Sequence, residues 1–278
     1  MFHSFETHGP IELRVEVTRG KVTVVSADTT ATDVTVNGER ADDVQVFQDG
    51  DTVSVIAPKV RMGFFGADPS YDVQVTLPHE SELSIKTGSA DVAAQGRFGS
   101  SDLRSGSGQV EVEHLLAQTI VETGSGDINL HRVDGELRIK AGSGDISVGQ
   151  TSSAVMVTAG SGDVEFGTTA GPTVVKTGSG DLRVAIADGD LAMSTGSGDA
   201  TVNRLNRGRF SLKGASGDLR IGIPRGVPVW TDISAVSGSV RSDLVSAGEP
   251  ADGQDFIELV ARTVSGDITL KQLQEGTS

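Results

Sequence analysis

The chain has 278 residues, 36% of them hydrophobic, which is enough for a real core and too many for a disordered segment. A formal charge of −15 argues against nucleic acid or an anionic membrane surface as a partner, and the lack of cysteine excludes disulfide frameworks and thiolate metal sites. With 36 glycines against nine phenylalanines, and Val, Ile, Leu and Ala in short alternating runs, the composition favours β-structure.

The opening stretch MFHSFETHGPIELRVEV has no basic segment followed by an apolar run of signal-peptide length, and no run of apolar residues is long enough to span a membrane. The expectation is a cytoplasmic chain without membrane insertion. Residues 1–80 form a first region, a β-rich cap with early coils. From Ile11 to Leu77 it alternates as IELRVEV, KVTVVSA, DVTV, DVQVF, TVSVIA and YDVQVTL, which predicts antiparallel or early-coil strands that cap the later residues. The loop APKVRMGFFGADPSY interrupts them with Met62, Phe64 and Phe65. These side chains either plug the end of the core or form a contact patch for a protein partner or a second copy.

Residues 81–221 carry an internal repeat. Asp127, Asp145, Asp163, Asp181 and Asp199 follow one another at intervals of eighteen, each closing a Gly-Ser-Gly-Asp motif. Gln109 and Asp91 continue the register backwards, and Asp218 continues it forwards after one inserted residue. One and three residues after the Asp lie apolar columns, such as Val110, Ile128, Ile146, Val164 and Leu182, and Val112, Leu130, Val148, Phe166 and Val184. Six and eight residues before it lie two more, with Ile139, Val157 and Val175 in one and Leu137, Val155 and Leu191 in the other. Each unit therefore supplies two short strands joined by a Gly-Ser-Gly corner, and stacking the units turns each column into a continuous ladder. The prediction is an all-β, single-chain β-solenoid with eighteen-residue coils. In residues 222–278 the interval stretches, with Ser239 and Asp267 as the next motif positions, which predicts insertion-bearing carboxy-terminal coils of the same continuous domain. Trp230 in GVPVWTDI is expected in the interior.

The repeated motif offers two chemistries. The Asp column (Asp127, Asp145, Asp163, Asp181 and Asp199) could be a cation ladder, or each carboxylate could accept backbone N–H bonds at its own turn. Spacing favours the turn: the calcium-binding nonapeptide repeats place G-G-x-G-x-D twice per coil, whereas here Gly directly precedes Asp, once per eighteen residues. The serines two residues before the Asp (Ser125, Ser143, Ser161, Ser179 and Ser197) are assigned to structural turns, with parity aiming the hydroxyl into the corner. No G-x-S-x-G elbow accompanies them and no histidine recurs near them. His3, His8, His79, His114 and His131 lack metal-ligand spacing. Neither a phosphate-binding nor a dinucleotide-binding fingerprint occurs, so no cofactor is expected.

The segments VQVTLPHESELSIKTGSADV, the tandem TGSGD-[VIL]-x-[LV] units and LRIGIPRGVPVWTDISAVSGSV resemble the bacterial adhesin-type β-strand-repeat family, also called the toastrack domain, over roughly residues 10 to 270. The resemblance implies a single-chain β-solenoid of a kind often joined to membrane anchors or envelope-stress sensors, with no established catalytic residues. It leads to the expectation of a non-enzymatic scaffold or protein-interaction module with an unidentified protein partner. The alternatives are a self-assembling structural protein that forms oligomers or filaments, and a carbohydrate-active β-helix enzyme with a carboxylate-lined groove in the irregular carboxy-terminal coils.

Overall fold

The computed structural model describes residues 1–58, 69–251 and 253–274, so the loop with Met62, Phe64 and Phe65 lies outside the described residues. The chain divides into two compact units, Met1–Arg138 and Ile139–Ser278. Both are built almost wholly of β-strands, with one short 3-10 turn at Ala41–Asp43 among the described residues.

The first unit holds β1 (Phe2–Glu6), β2 (Glu12–Val17), β3 (Gly20–Ala27), β4 (Ala31–Asn37), β5 (Gln45–Asp49), β6 (Thr52–Ile56), β7 (Tyr71–Pro78), β8 (Glu82–Thr87), β9 (Asp91–Phe98), β10 (Ser101–Ser105), β11 (Val110–Leu115), β12 (Thr119–Thr123) and β13 (Ile128–Val133). One of its sheets runs β1-β4-β7-β3-β9-β11-β13 and the other β5-β6-β2-β8-β10-β12. Coil pairs such as β8/β9 and β10/β11 alternate between the sheets, and each strand lies parallel to its copy one coil on. Among the described residues of this unit, antiparallel pairing is confined to β1 on β4, β4 on β7 and β5 on β6. Pairing separates two kinds of strand: β2/β3 and β6/β7 pair in parallel with each other as coil strands do, while β4 and β5 pair antiparallel on β7 and β6, and β1 on β4.

The second unit holds most of β14 (Leu137–Ala141), and all of β15 (Ile146–Thr151), β16 (Val155–Ala159), β17 (Val164–Thr169), β18 (Thr173–Thr177), β19 (Leu182–Ala187), β20 (Leu191–Ser197), β21 (Ala200–Leu205), β22 (Gly208–Ser216), β23 (Leu219–Ile223), β24 (Val229–Ser237), β25 (Val240–Ser242), β26 (Ile257–Ser265) and β27 (Ile268–Gln272). Its sheet orders are β15-β17-β19-β21-β23-β27-β25 and β14-β16-β18-β20-β22-β26-β24. The register is the sequence repeat itself: Ile146 faces Val164, Val164 faces Leu182, and Leu182 faces Ala200. From β16 through β18, β20, β22 and β26 to β24 every neighbour is parallel, as stacked coils require.

Six positions per coil point inward. In the coil from Leu137 to Thr151 these are Leu137, Ile139, Ala141, Ile146, Val148 and Thr151, each at most 8% exposed. Burial of each large aliphatic contributes about 1.5–3 kcal/mol, and only stacking removes both of its flanks from water. The sixth column, residues such as Leu115, Val133, Thr169, Ala187 and Leu205, lies six positions after the Asp. It is displaced from period two by two solvent-facing residues in between, so alternation alone does not reveal it.

The coil order departs from the chain order in each unit. In the first, β2/β3 sits between β6/β7 and β8/β9, although it precedes both in sequence. In the second, β26/β27 sits between β22/β23 and β24/β25, although it comes after both in the chain.

Candidate functional site

The corner motif is the most repeated chemistry in the chain. The strand before it ends four residues ahead of the Asp, at Thr123, Ala141, Ala159 or Thr177, and the chain then turns over Gly-Ser. Alternation stops at that turn. Parity therefore fails for the serines: Ser125, Ser143, Ser161, Ser179 and Ser197 are all exposed, and their backbone N–H groups carry the contact, as when Ser125 donates to the Gly106 carbonyl at 3.0 Å and Ser161 to that of Gly142 at 3.1 Å. The hydroxyl that does reach into the corner belongs to the threonine. Thr123 Oγ1 donates to the Gly126 carbonyl at 2.9 Å, Thr87 Oγ1 to that of Ala90 at 3.0 Å, and Gly180 N–H donates to Thr177 Oγ1 at 3.0 Å.

The glycine before each Asp is fixed by close approach of successive coils. A Cβ on Gly162 would stand 1.9 Å from the Gly144 carbonyl oxygen, and one on Gly180 1.9 Å from that of Gly162. Those are backbone atoms of the neighbouring coil, so no side chain can swing away to make room.

The carboxylates bond coil to coil rather than within their own turn, which corrects the expectation. Asp145 Oδ1 accepts the Asp163 N–H at 2.9 Å, Asp163 that of Asp181 at 3.0 Å, Asp181 that of Asp199 at 2.9 Å and Asp199 that of Asp218 at 2.7 Å. The ladder keeps to spatial and not sequence order at its end: Asp218 accepts from Asp267 at 2.9 Å, and Asp267 from Ser239 at 2.8 Å. In the first unit Asp91 accepts the Gln109 N–H at 2.9 Å. The carbonyl of each Asp accepts the N–H one residue beyond the preceding Asp, as Val164 donates to Asp181 at 2.8 Å. Arginines two residues after an Asp clamp two rungs: Arg183 reaches Asp163 at 2.9 Å and Asp181 at 3.1 Å, and Arg220 reaches Asp218 at 2.8 Å and Asp199 at 3.7 Å. The Asp181 N–H, and then the Arg183 guanidinium, hold the Asp163 carboxyl below the usual range, and the Ser239 N–H and hydroxyl do the same for Asp267. Among the described residues no group of three or more His, Asp or Glu has metal-site geometry.

Of the histidines, His114 Nε2 lies 2.7 Å from Asp134 Oδ2, but Arg132 also bonds that carboxylate at 3.1 Å. The second unit has a groove of about 510 Å³ lined by Asp188, Asp190, Arg207, Arg209, Phe256 and Glu258, among others. Its acids are already engaged: Asp190 accepts the Arg209 N–H at 2.8 Å, Glu258 pairs with Arg209 at 3.3 Å, and Asp255 with Arg207 at 3.6 Å.

The remaining candidate surface is the edge formed by β24 and β25, which stand last in their sheet orders. Trp230 is 56% exposed, not interior as expected, because Val229, Thr231 and Ile233 stack on Ile257, Leu259 and Ala261 and so claim the inward side. Val236 is 80% exposed and Val240 51%. The irregular spacing after Asp218 hides this coil from periodicity, and nothing in the local sequence marks it as outermost.

Among solved structures, a "putative lipid binding protein" from Parabacteroides distasonis is similar, with 18% identity and a TM-score of 0.52 over 80% of this chain and 96% of that one. "Putative adhesins" from Bacteroides fragilis (13% identity, TM-score 0.46, 80% and 96% covered) and Parabacteroides merdae (12%, 0.47, 80% and 95%) are also similar. A search of curated proteins found no match. At 18% identity the likeness to the first of these speaks to the fold alone. The family profile Toastrack DUF4097 matches residues 11–184 and 173–278, and with both stretches matched the chain belongs to the toastrack family.

Proposed function

We propose that the chain is a non-enzymatic scaffold and protein-interaction module of the adhesin type. The observation that carries this reading is the fate of the repeated polar groups: the aspartates are spent joining coils, and the exposed serines join coils through their backbone N–H groups. Stacked coils present continuous sheet faces, while a nucleophile or acid–base pair would need side chains freed from the lattice. The carbohydrate-cleaving alternative has one favourable feature, the groove at Asp188, Asp190 and Glu258, but its carboxylates are tied to arginines and backbone. Incubation with a panel of polysaccharides tests the two readings together. The scaffold reading expects no release of reducing ends, and turnover abolished by Asp190→Asn and Glu258→Gln would replace it.

A further inference from the structure

We propose that the edge of β24 and β25 docks a second copy of this chain in a closed, two-fold, antiparallel contact. This deepens the scaffold reading by naming a partner. The two units treat their outermost coils differently. In the first, the inward residues Val53, Val55, Val73, Val75 and Leu77 of β6 and β7 are at most 2% exposed. In the second, Thr231, Val240 and Ser242, which stack inward on Leu259, Ile268 and Leu270, are exposed, so the core is open at that edge. An open edge with exposed apolar neighbours is a pairing template unless charge, proline or a bulge blocks it. β24 contains no proline or lysine, and Val229–Ser242 holds one acid, Asp232, and one base, Arg241, in a chain of net charge −15.

The occupant is identified by self-complementarity. Pairing the nine residues of β24 with their own copy over full length places Ile233 opposite Ile233 and inward residues opposite inward residues. Trp230, outward and 56% exposed, then faces Val236 of the second copy, which is 80% exposed, and the pair occurs twice. Asp232 falls opposite the small Ser234 of the other copy, whose flanking β26 residue is Arg262, the same cation that already lies 3.5 Å from Asp232 within one chain. Sliding the pairing so that Asp232 is central would set two carboxylates face to face. Both copies present the same edge in this pairing, so each copy's edge is used up by the other. The contact therefore closes on two copies instead of propagating.

Because the chain has no cysteine, Ile233→Cys supplies a single thiol at the two-fold centre. The expected result is sedimentation of the whole chain as a dimer at high concentration, and a disulfide-linked dimer from Ile233→Cys under mild oxidation. Ser179→Cys, on an exposed corner, should stay unlinked. Thr231→Lys, whose side chain remains solvated in a single chain, should return the protein to monomer with an unchanged melting temperature at low concentration. Monomer at every concentration without cross-linking, or cross-linking equally efficient at Ser179→Cys, would overturn the proposal and leave the scaffold reading untouched.

Discussion

The four residues of the corner are not equally necessary, and their roles separate by where each atom points. Gly162 faces a backbone carbonyl 1.9 Å from the position a Cβ would take, so Gly162→Ala should cost about 1–3 kcal/mol or more, whereas the exposed Ser161→Ala should stay within about 0.5 kcal/mol. Chemical denaturation of the two variants decides this, and a reversed ranking would refute the corner geometry. Asp163→Ala strands the Asp181 N–H and should cost about 1 kcal/mol, while Asp163→Asn keeps an acceptor and should cost less. The ladder also sets a pH dependence. Asp163 and Asp267 titrate below their ordinary value of 3.8 in the folded chain, so their contribution is complete above that value and is lost as pH falls through the folded values. Melting temperatures should hold from neutrality to about pH 5 and decline below about pH 4. The double variant Asp163→Asn with Asp267→Asn should decline less steeply, and parallel slopes would remove the ladder as the cause. Thr169 is fully buried with its hydroxyl unpartnered, so Thr169→Val should raise stability by about 1 kcal/mol in the same assay.

At the scale of the coil, the columns beside Asp127 to Asp199 are legible in the sequence because a parallel stack converts translation in space into translation in the chain. Identical spacing alone is enough to put Val164 on Ile146. Spacing does not show which atoms bond. The Asp N–H loses its backbone acceptor at the turn, and only geometry reveals that the carboxylate of the neighbouring coil replaces it. The same limit hides Trp230, since its side of the sheet depends on stacking against Ile257 and Leu259, residues far along the chain that no period connects to it. The repeat makes a strong prediction about whole coils. Removing residues 164–181 joins Asp163 to Leu182 and lets the Asp199 N–H meet Asp163, so the shortened chain should fold with the same circular dichroism and cooperative melting. Removing one residue fewer would leave an extra residue at the corner between Asp163 and Leu182, and this variant should melt at a lower temperature than the full-coil deletion.

Across the molecule, the regular coils make local pairings between neighbours in sequence, and the irregular ones do not. β2 lies beside β6 and β8, and β26 lies beside β22 and β24, so each bridges segments separated by dozens of residues. A chain ending before Ile257 would lose more than one coil: β24 and β25 would have no strand beside them, and hydrogen exchange should show both β24 and the outer side of β22 unprotected. Protection of β24 in that truncation would contradict the interleaved order. The interleaving also sets a clock on biosynthesis. A ribosome releases β24 and β25 before β26 and β27 exist, so the newborn chain must hold a place open beside β22 and β23 until the last strands arrive. Until then the apolar edge of β22 has no cover, and that waiting interval is when the growing chain most needs protection from its neighbours.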